Sequence, residues 1–532
     1  MARGIHTSWS LRTGGIFALC VLVAGCGGKE PKDTSVFLPE TGDSPAPVET
    51  GSESDAPIES DPPRETASEE TAPPEETADP WASVLMECGE WETRPAPQGR
   101  LLVDRDADAI FSIPEDWREW DGIPHDAAAG DVDGDGCSEI VLSHSSWTDS
   151  DDLFGNIYRI PGPLAGAFHS PGPYTAIIEA PSDHYLTQLS LGDMDGDGSR
   201  DDWLFGAFCG GDNGLGAVYL FPEPLSGTYV EDDAVAAIWA PDTIASTSAG
   251  LSTGDVDGDG VDDVALGWYV WGDDGFVDPE LGVYYGPLVG VRTYEDADAS
   301  FRGHDRRVGE NMSLEADLDG DGLHDLIYGS QMGWGEQDHV LVFRGPVAGA
   351  YRREDADLFM ETEIDAGVGV DFPLSAGPDA DGDGYDDLLV AENSETYSKA
   401  WLVLGGLDPI SDLGDAHATF TGANSWGFCY SLSMEQDMDA DGFPEVLIGF
   451  PGHGWPTTES QGAALLYYGP IEGAYDLDGA DAVFYGSDPD WNYGYVGGYV
   501  RGLGDTDGDG FDDILIGAWG NAPAWVFRGG PR

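Results

Sequence analysis

The chain has 532 residues, with 101 Asp and Glu against 22 Lys and Arg, and a formal charge of -79. Charge of this sign is repelled by nucleic acid and by anionic membrane surfaces, and it makes cations the natural partners. With 76 Gly, 17 Trp and 41% hydrophobic residues, most of the chain has the material for a packed core, which places the acid on loops.

Residues 1–25 carry Arg3 and Arg12 ahead of an apolar run from Ile16 to Ala24, the form of an export signal whose core is too short to span a bilayer. Val23-Ala24-Gly25-Cys26 resembles the lipobox of bacterial lipoproteins, which implies cleavage before Cys26 and lipidation of that residue. Gly27 stands where an Asp would imply retention at the inner membrane, so the expected location is the outer membrane or cell surface. Residues 26–80 are rich in Pro, Ser, Thr, Glu and Asp and nearly free of apolar side chains. They read as an extended tether of roughly 160 Å at about 3.1 Å per residue. Residues 81–100 form a short segment ahead of the folded region, 101–532.

The pattern D-x-D-x-D-G-x-x-[DE] starts at Asp131, Asp193, Asp255, Asp317, Asp379, Asp437 and Asp505, at intervals of 62, 62, 62, 62, 58 and 68 residues. Acidic motifs in such near-constant register mark a repeat architecture, and we number the loops 1 to 7. Within each, acids at positions 1, 3 and 5 alternate with small or apolar residues, and Gly at position 6 permits the positive φ that turns the chain back. Position 9 brings a fourth acid. The candidate ligands are Asp131, Asp133, Asp135 and Glu139; Asp193, Asp195, Asp197 and Asp201; Asp255, Asp257, Asp259 and Asp263; Asp317, Asp319, Asp321 and Asp325; Asp379, Asp381, Asp383 and Asp387; Asp437, Asp439, Asp441 and Glu445; and Asp505, Asp507, Asp509 and Asp513.

Four carboxylates plus a backbone carbonyl from position 7 suit the oxygen-rich shell of Ca²⁺ better than Mg²⁺, which keeps more of its water; up to seven Ca²⁺ are expected. An EF-hand would need an acid at position 12, where Leu142, Leu204, Leu266, Tyr328, Val390, Ile448 and Ile516 stand instead. Ala440 replaces the usual Gly at position 4 of loop 6 and sets that loop apart.

Each loop runs into an apolar strand such as Val264-Ala265-Leu266-Gly267, followed by a third strand, a Gly-Pro turn as at Gly286-Pro287, and a fourth strand as at Asp298-Ala299-Ser300-Phe301. The chain stops after a third strand at Phe527-Arg528-Gly529-Gly530, while Asp106-Ala107-Asp108-Ala109-Ile110-Phe111 carries the fourth-strand pattern. The expected fold is therefore all-β: a seven-bladed β-propeller of four-stranded blades whose C-terminal blade is completed by an N-terminal strand.

From about residue 101 onward, the motif Asp-x-Asp-Gly-Asp-Gly-x-x-Asp followed by a strand ending in Gly resembles the FG-GAP repeats of integrin α-subunit propellers. The resemblance implies a calcium loop between the first and second strands of a blade. The chain departs from that family by carrying the motif in all seven blades, and nothing in it resembles integrin leg or transmembrane domains, so an integrin β partner is not implied.

Blade topology puts the acidic loops and the Gly-Pro turns on one face of the disc. Loops of the other face hold Trp147, Trp271, Trp334, Trp426, Trp455, Trp491 and Trp519, either as anchors for a protein or glycan ligand or as packing between blades. Gly250-Leu251-Ser252-Thr253-Gly254 matches G-x-S-x-G, but an acidic loop follows where a nucleophile elbow needs a helix. No catalytic residue is assigned. Cys88 and Cys137 are the first pair to consider for a disulfide in an exported protein, with Cys209 and Cys429 left open. The leading expectation is a monomeric, calcium-stabilised binding or adhesion module that meets the membrane only through its lipid. The alternatives are a calcium-dependent carbohydrate-active enzyme, whose central funnel would gather acids, bases and Arg or Lys, and a structural envelope protein without a specific ligand.

Overall fold

The computed structural model describes residues 84–85, 88 and 93–532, apart from 113–125, 148–152, 170–173, 180–184, 209–215, 223–225, 241–247, 269–270, 273–274, 277–279, 303–306, 332–338, 362–372, 394–397, 407–411, 423–427, 454–461, 487–494 and 520–522. Cys26, the export signal and the tether lie outside the described residues. No helix among the described residues is long and apolar enough to cross a membrane.

The chain forms a seven-bladed β-propeller. Each acidic loop joins an inner strand to the second strand of its blade. The inner strands, in blade order, are Asp126–Gly130, Tyr185–Gly192, Ser248–Gly254, Arg307–Ala316, Leu374–Ala376, Leu432–Ser433 and Tyr495–Gly504, and they stand side by side in a ring whose last member meets its first. In blade 3, Ser248–Gly254, Asp263–Trp268, Glu280–Tyr284 and Ala299–Arg302 pair antiparallel in succession.

Middle strands such as Ala217–Phe221 read as unbroken apolar runs because both of their faces are covered by neighbouring blades. Alternate side chains go to opposite sides: Ala217, Tyr219 and Phe221 pack between blades 1 and 2, while Val218 and Leu220 pack between blades 2 and 3. The core is thus a set of wedge-shaped clusters between blades, anchored by the fully buried Trp203, Trp268, Trp401 and Trp525.

Blades also interlock through a fifth strand, which the sequence reading did not anticipate. After the turn that ends the third strand, several repeats send four residues outward, parallel to the outer strand of the preceding blade: Gly227–Val230 lies on Ala176–Glu179, Gly349–Arg352 on Ala299–Arg302, and Gly473–Asp476 on Ala418–Thr421. A Gly with positive φ starts each one (106° at Gly227, 87° at Gly349, 89° at Gly473). In the last two of these, the tyrosine two residues on stacks on the outer strand it covers, at 5.0 Å for Tyr351 on Phe301 and 5.2 Å for Tyr475 on Phe420. These short added strands blunt the blade edges.

Ring closure uses the same parts, cut from the other end of the chain. Ala109–Ser112 pairs antiparallel with the C-terminal Ala524–Phe527, as expected, and Gly99–Leu102 supplies the fifth strand of blade 6. The hydrogen bonds match too. Tyr285 N, Arg344 N and Tyr468 N each donate to an Asp just ahead of the outer strand, at 2.9–3.0 Å to Asp298, Asp357 and Asp481. In blade 7, Arg528 N donates to Asp108 at 3.1 Å, across 420 residues.

Candidate metal centres

Loop 3 shows how the acids are arranged. Asp255 at position 1 accepts from Gly258 N (2.7 Å) and Asp259 N (3.1 Å) on Oδ1 and from Gly260 N (2.9 Å) on Oδ2, so one carboxylate folds the loop around itself. Asp257 and Asp259 each use Oδ1 to accept an N–H two residues on, at 3.1 and 2.9 Å. One ligand atom from each of Asp255, Asp257 and Asp259 then lies within 4.8 Å of the others, and so do those of loop 2 (Asp193, Asp195, Asp197). Gly at position 4 is needed for its positive φ, 79° at Gly258; Ala440 takes φ 55° at that place, a left-handed conformation that strains loop 6.

The position 9 acid does a second job. Asp263 accepts from Val256 N (3.0 Å) on one oxygen and from Gly286 N (2.9 Å) of the Gly-Pro turn on the other. Asp325, Asp387 and Asp513 latch Gly345, Gly405 and Gly529 in the same way, at 2.8–3.1 Å. The acidic loop and the turn therefore share a face. In loop 2 this carboxylate comes one residue later than expected: Asp202, fully buried, takes the N–H of Met194 at 2.9 Å, and Asp201 does not stand in that place. The extra residue in Ser199-Arg200-Asp201-Asp202 causes the shift, and the double Asp was its only trace in the sequence. Glu139 and Glu445, one methylene longer, join the ligand groups of loops 1 and 6 directly, as Asp131-Asp133-Glu139 and Asp437-Asp439-Asp441-Glu445.

Burial pushes Asp263, Asp325 and Asp387 up to about 7 and Glu445 up to about 9, with backbone N–H groups opposing and neighbouring loop acids adding to the rise. Glu445 Oε1 is buried without a hydrogen-bond partner, and so is Asp509 Oδ2 of loop 7, which lies in the field of the Arg528 guanidinium. Crowded, desolvated carboxylates with oxygens to spare are a donor set that fits a hard divalent cation.

Position 8 links the loops to one another. Asp262 N donates to Asp193 O (2.8 Å) while the Asp262 carboxylate accepts from Asp193 N (3.0 Å), so loop 3 grips loop 2. Asp386 and Asp512 bind loops 4 and 6 likewise, and His324 Nδ1 accepts from Asp255 N at 2.9 Å. Ser138 N to Asp505 O (2.8 Å) carries the chain of bonds across the joint between blades 7 and 1. Pro444 holds position 8 of loop 6 and, having no N–H, cannot extend it to loop 5.

Arginines also meet the acids, which the sequence reading missed. Arg159 Nη2 lies 2.6 Å from Asp133 and 3.0 Å from Glu139 in loop 1, and Arg528 Nη1 lies 2.6 Å from Asp507 in loop 7. Arg344 approaches Asp319 at 3.2 Å, and Arg532 pairs with Asp439 and Asp441. Arg344 and Arg528 directly precede the turn glycine, a placement that could have flagged them. The Cys88–Cys137 disulfide ties the segment before the propeller to position 7 of loop 1; Cys429 is buried and free, and Cys209 lies outside the described residues.

At the disc axis, Asp126, Glu315, Tyr499 and Arg501 of the inner strands meet Arg200 of loop 2 and Glu435, which lies just past the inner strand of blade 6. Their charges face one another: Arg501 to Glu435 at 3.1 Å, Arg200 to Glu315 at 3.0 Å, and Tyr499 to Asp126 at 3.0 Å. Ser252 of the G-x-S-x-G match lies on an inner strand, with no helix after it, and its hydroxyl accepts from Leu314 N of the next blade at 2.9 Å. It is a staple between blades. Trp334, Trp426, Trp455 and Trp491 lie outside the described residues, as do the side chains of Trp147, Trp271 and Trp519.

No protein-family model matches the chain. Among curated proteins it is similar to integrin α-5 of Xenopus laevis, 27% identical over 164 residues, which are 29% of this chain and 15% of that one. Integrin α-PS2 of Drosophila melanogaster is 22% identical over 255 residues, 45% of this chain and 17% of the relative, and human integrin α-IIb is 28% identical over 165 residues, 29% and 15%. The similarity spans less than a fifth of each relative's length. Ring, acidic loops and distant sequence likeness together describe an integrin-α-like FG-GAP propeller.

Proposed function

We propose that the protein is a calcium-stabilised binding or adhesion module, exported, lipid-anchored through Cys26, and displayed at the cell surface to take up a protein or glycan. The supporting observation is the repeated acidic loop: position 1 folds it, positions 3 and 5 keep oxygens for an ion in loops 2, 3 and 5, and position 9 couples it to the adjacent turn. Calcium in such loops would hold one face of the disc rigid and leave the opposite loops free to vary, a division suited to recognition. The candidate ligands are the acids named above, with Asp202 in place of Asp201.

Binding is favoured over catalysis because the axial acids and arginines are engaged with one another. A protein and glycan array probed in calcium and in EDTA tests the reading. Capture of a ligand in calcium and its loss in EDTA is expected, and Trp271→Ala with Trp334→Ala should weaken capture without lowering the melting temperature. Turnover of a polysaccharide in place of capture would favour the enzyme.

A further inference from the structure

We propose that Arg159 and Arg528 are built-in cations that take the place of metal in loops 1 and 7, so that at most five of the seven loops take up Ca²⁺. The inference rests on the reading of these loops as calcium sites. Both guanidinium groups touch the position 3 carboxylate at 2.6 Å, close to where an ion bound by that oxygen would sit. A second anchor fixes each: Arg159 Nη1 donates to Thr175 Oγ1 at 3.0 Å, and Arg528 Nε lies 3.2 Å from Asp108. Both side chains are buried, 3% and 4% exposed, so neither can withdraw into water without opening the blade.

Calcium needs about six to eight oxygens at roughly 2.3–2.6 Å. In loops 1 and 7 it would have to enter against a fixed positive charge or leave a buried guanidinium without its partner, and both are costly. The other arginines differ. Arg344 and Arg532 have side chains 33% and 39% exposed and can swing outward to admit an ion. Among the described residues no arginine pairs with the acids at positions 1, 3 and 5 of loops 2, 3 and 5.

The placement has a consequence for closure. Loop 7 belongs to the blade assembled from both chain ends, and loop 1 to the blade beside it. Arg528 joins Asp507 of the C-terminal part to Asp108 of the N-terminal part. An internal cation there keeps the ring shut when calcium is scarce.

Native mass spectrometry of the full chain in millimolar calcium tests the proposal. The wild type should carry no more than five ions, and Arg159→Met and Arg528→Met should each gain one. Six or seven ions in the wild type overturn the proposal but leave the calcium reading standing, and this outcome decides even if a variant fails to fold. Arg159→Gln, which keeps hydrogen-bonding capacity without charge, is the second variant. Folded variants that gain no ion also overturn it. A wild type with no calcium at all overturns the calcium reading itself.

Discussion

Blade 3 is continuous in sequence and blade 7 is assembled from opposite ends of the chain, yet they are built alike. In blade 3, Tyr285 N reaches an Asp 13 residues away, and in blade 7, Arg528 N reaches the equivalent Asp across 420. The local geometry is therefore set by the residues around each bond and not by chain connectivity. Closing the longer loop costs about 3 kcal/mol more in entropy, a modest sum for so large a separation because the cost grows with the logarithm of length. The difference lies in the ion pairs. Asp298 holds Arg292 at 3.3 Å on the surface, whereas its counterpart Asp108 holds the buried Arg528.

The largest test of equivalence is in the core. Trp268→Ala and Trp525→Ala each remove a fully buried indole, and each should cost about 3–5 kcal/mol in denaturant unfolding. A much smaller loss for Trp525→Ala would mean that blade 7 is only loosely closed. The ion pairs should then separate the blades: in chelator, Arg528→Met leaves the buried Asp507 without its cation and should cost about 3 kcal/mol, against less than about 1 kcal/mol for the partly exposed Arg292→Met. Equal effects would contradict the contrast. Smaller still, Asp298→Ala should cost on the order of 1 kcal/mol for one lost acceptor, and Asp108→Ala should cost more; the excess measures what the pair adds at the joint.

The pH dependence follows from the latching acids. Asp263, Asp325 and Asp387 are raised from 3.8 to about 7 by burial, so the folded, metal-free protein binds more protons than the unfolded chain across that range. Their contribution to stability is complete below pH 4 and is lost as pH rises through 7. In chelator the melting temperature should fall between pH 4 and 8, a fall that calcium reduces; a flat profile in chelator would contradict the shifts.

Much of this was legible in the sequence. The loop spacing and the stray fourth strand at Ala107-Asp108-Ala109-Ile110 were enough for seven blades and for closure, because repeats impose one pattern many times. The fifth strand was missed because Gly227-Thr228-Tyr229-Val230 and its equivalents are mostly exposed and too short for a strand signal. Most show only as Gly-x-aromatic after the turn, and Gly290-Val291-Arg292 lacks even that. Asp202 was hidden by a one-residue insertion. Arg159 was invisible because strand pairing, not sequence spacing, carries it to Asp133, whereas Arg344 and Arg528 were marked only by their place before the turn glycine.

The most direct test of the cation-held loops is the melting temperature of the full chain, followed from EDTA to millimolar calcium. Binding to the folded state alone must raise stability by mass action, so a rise that saturates with calcium is expected. A melting curve that does not move, with no calcium bound at the end of the titration, would contradict it.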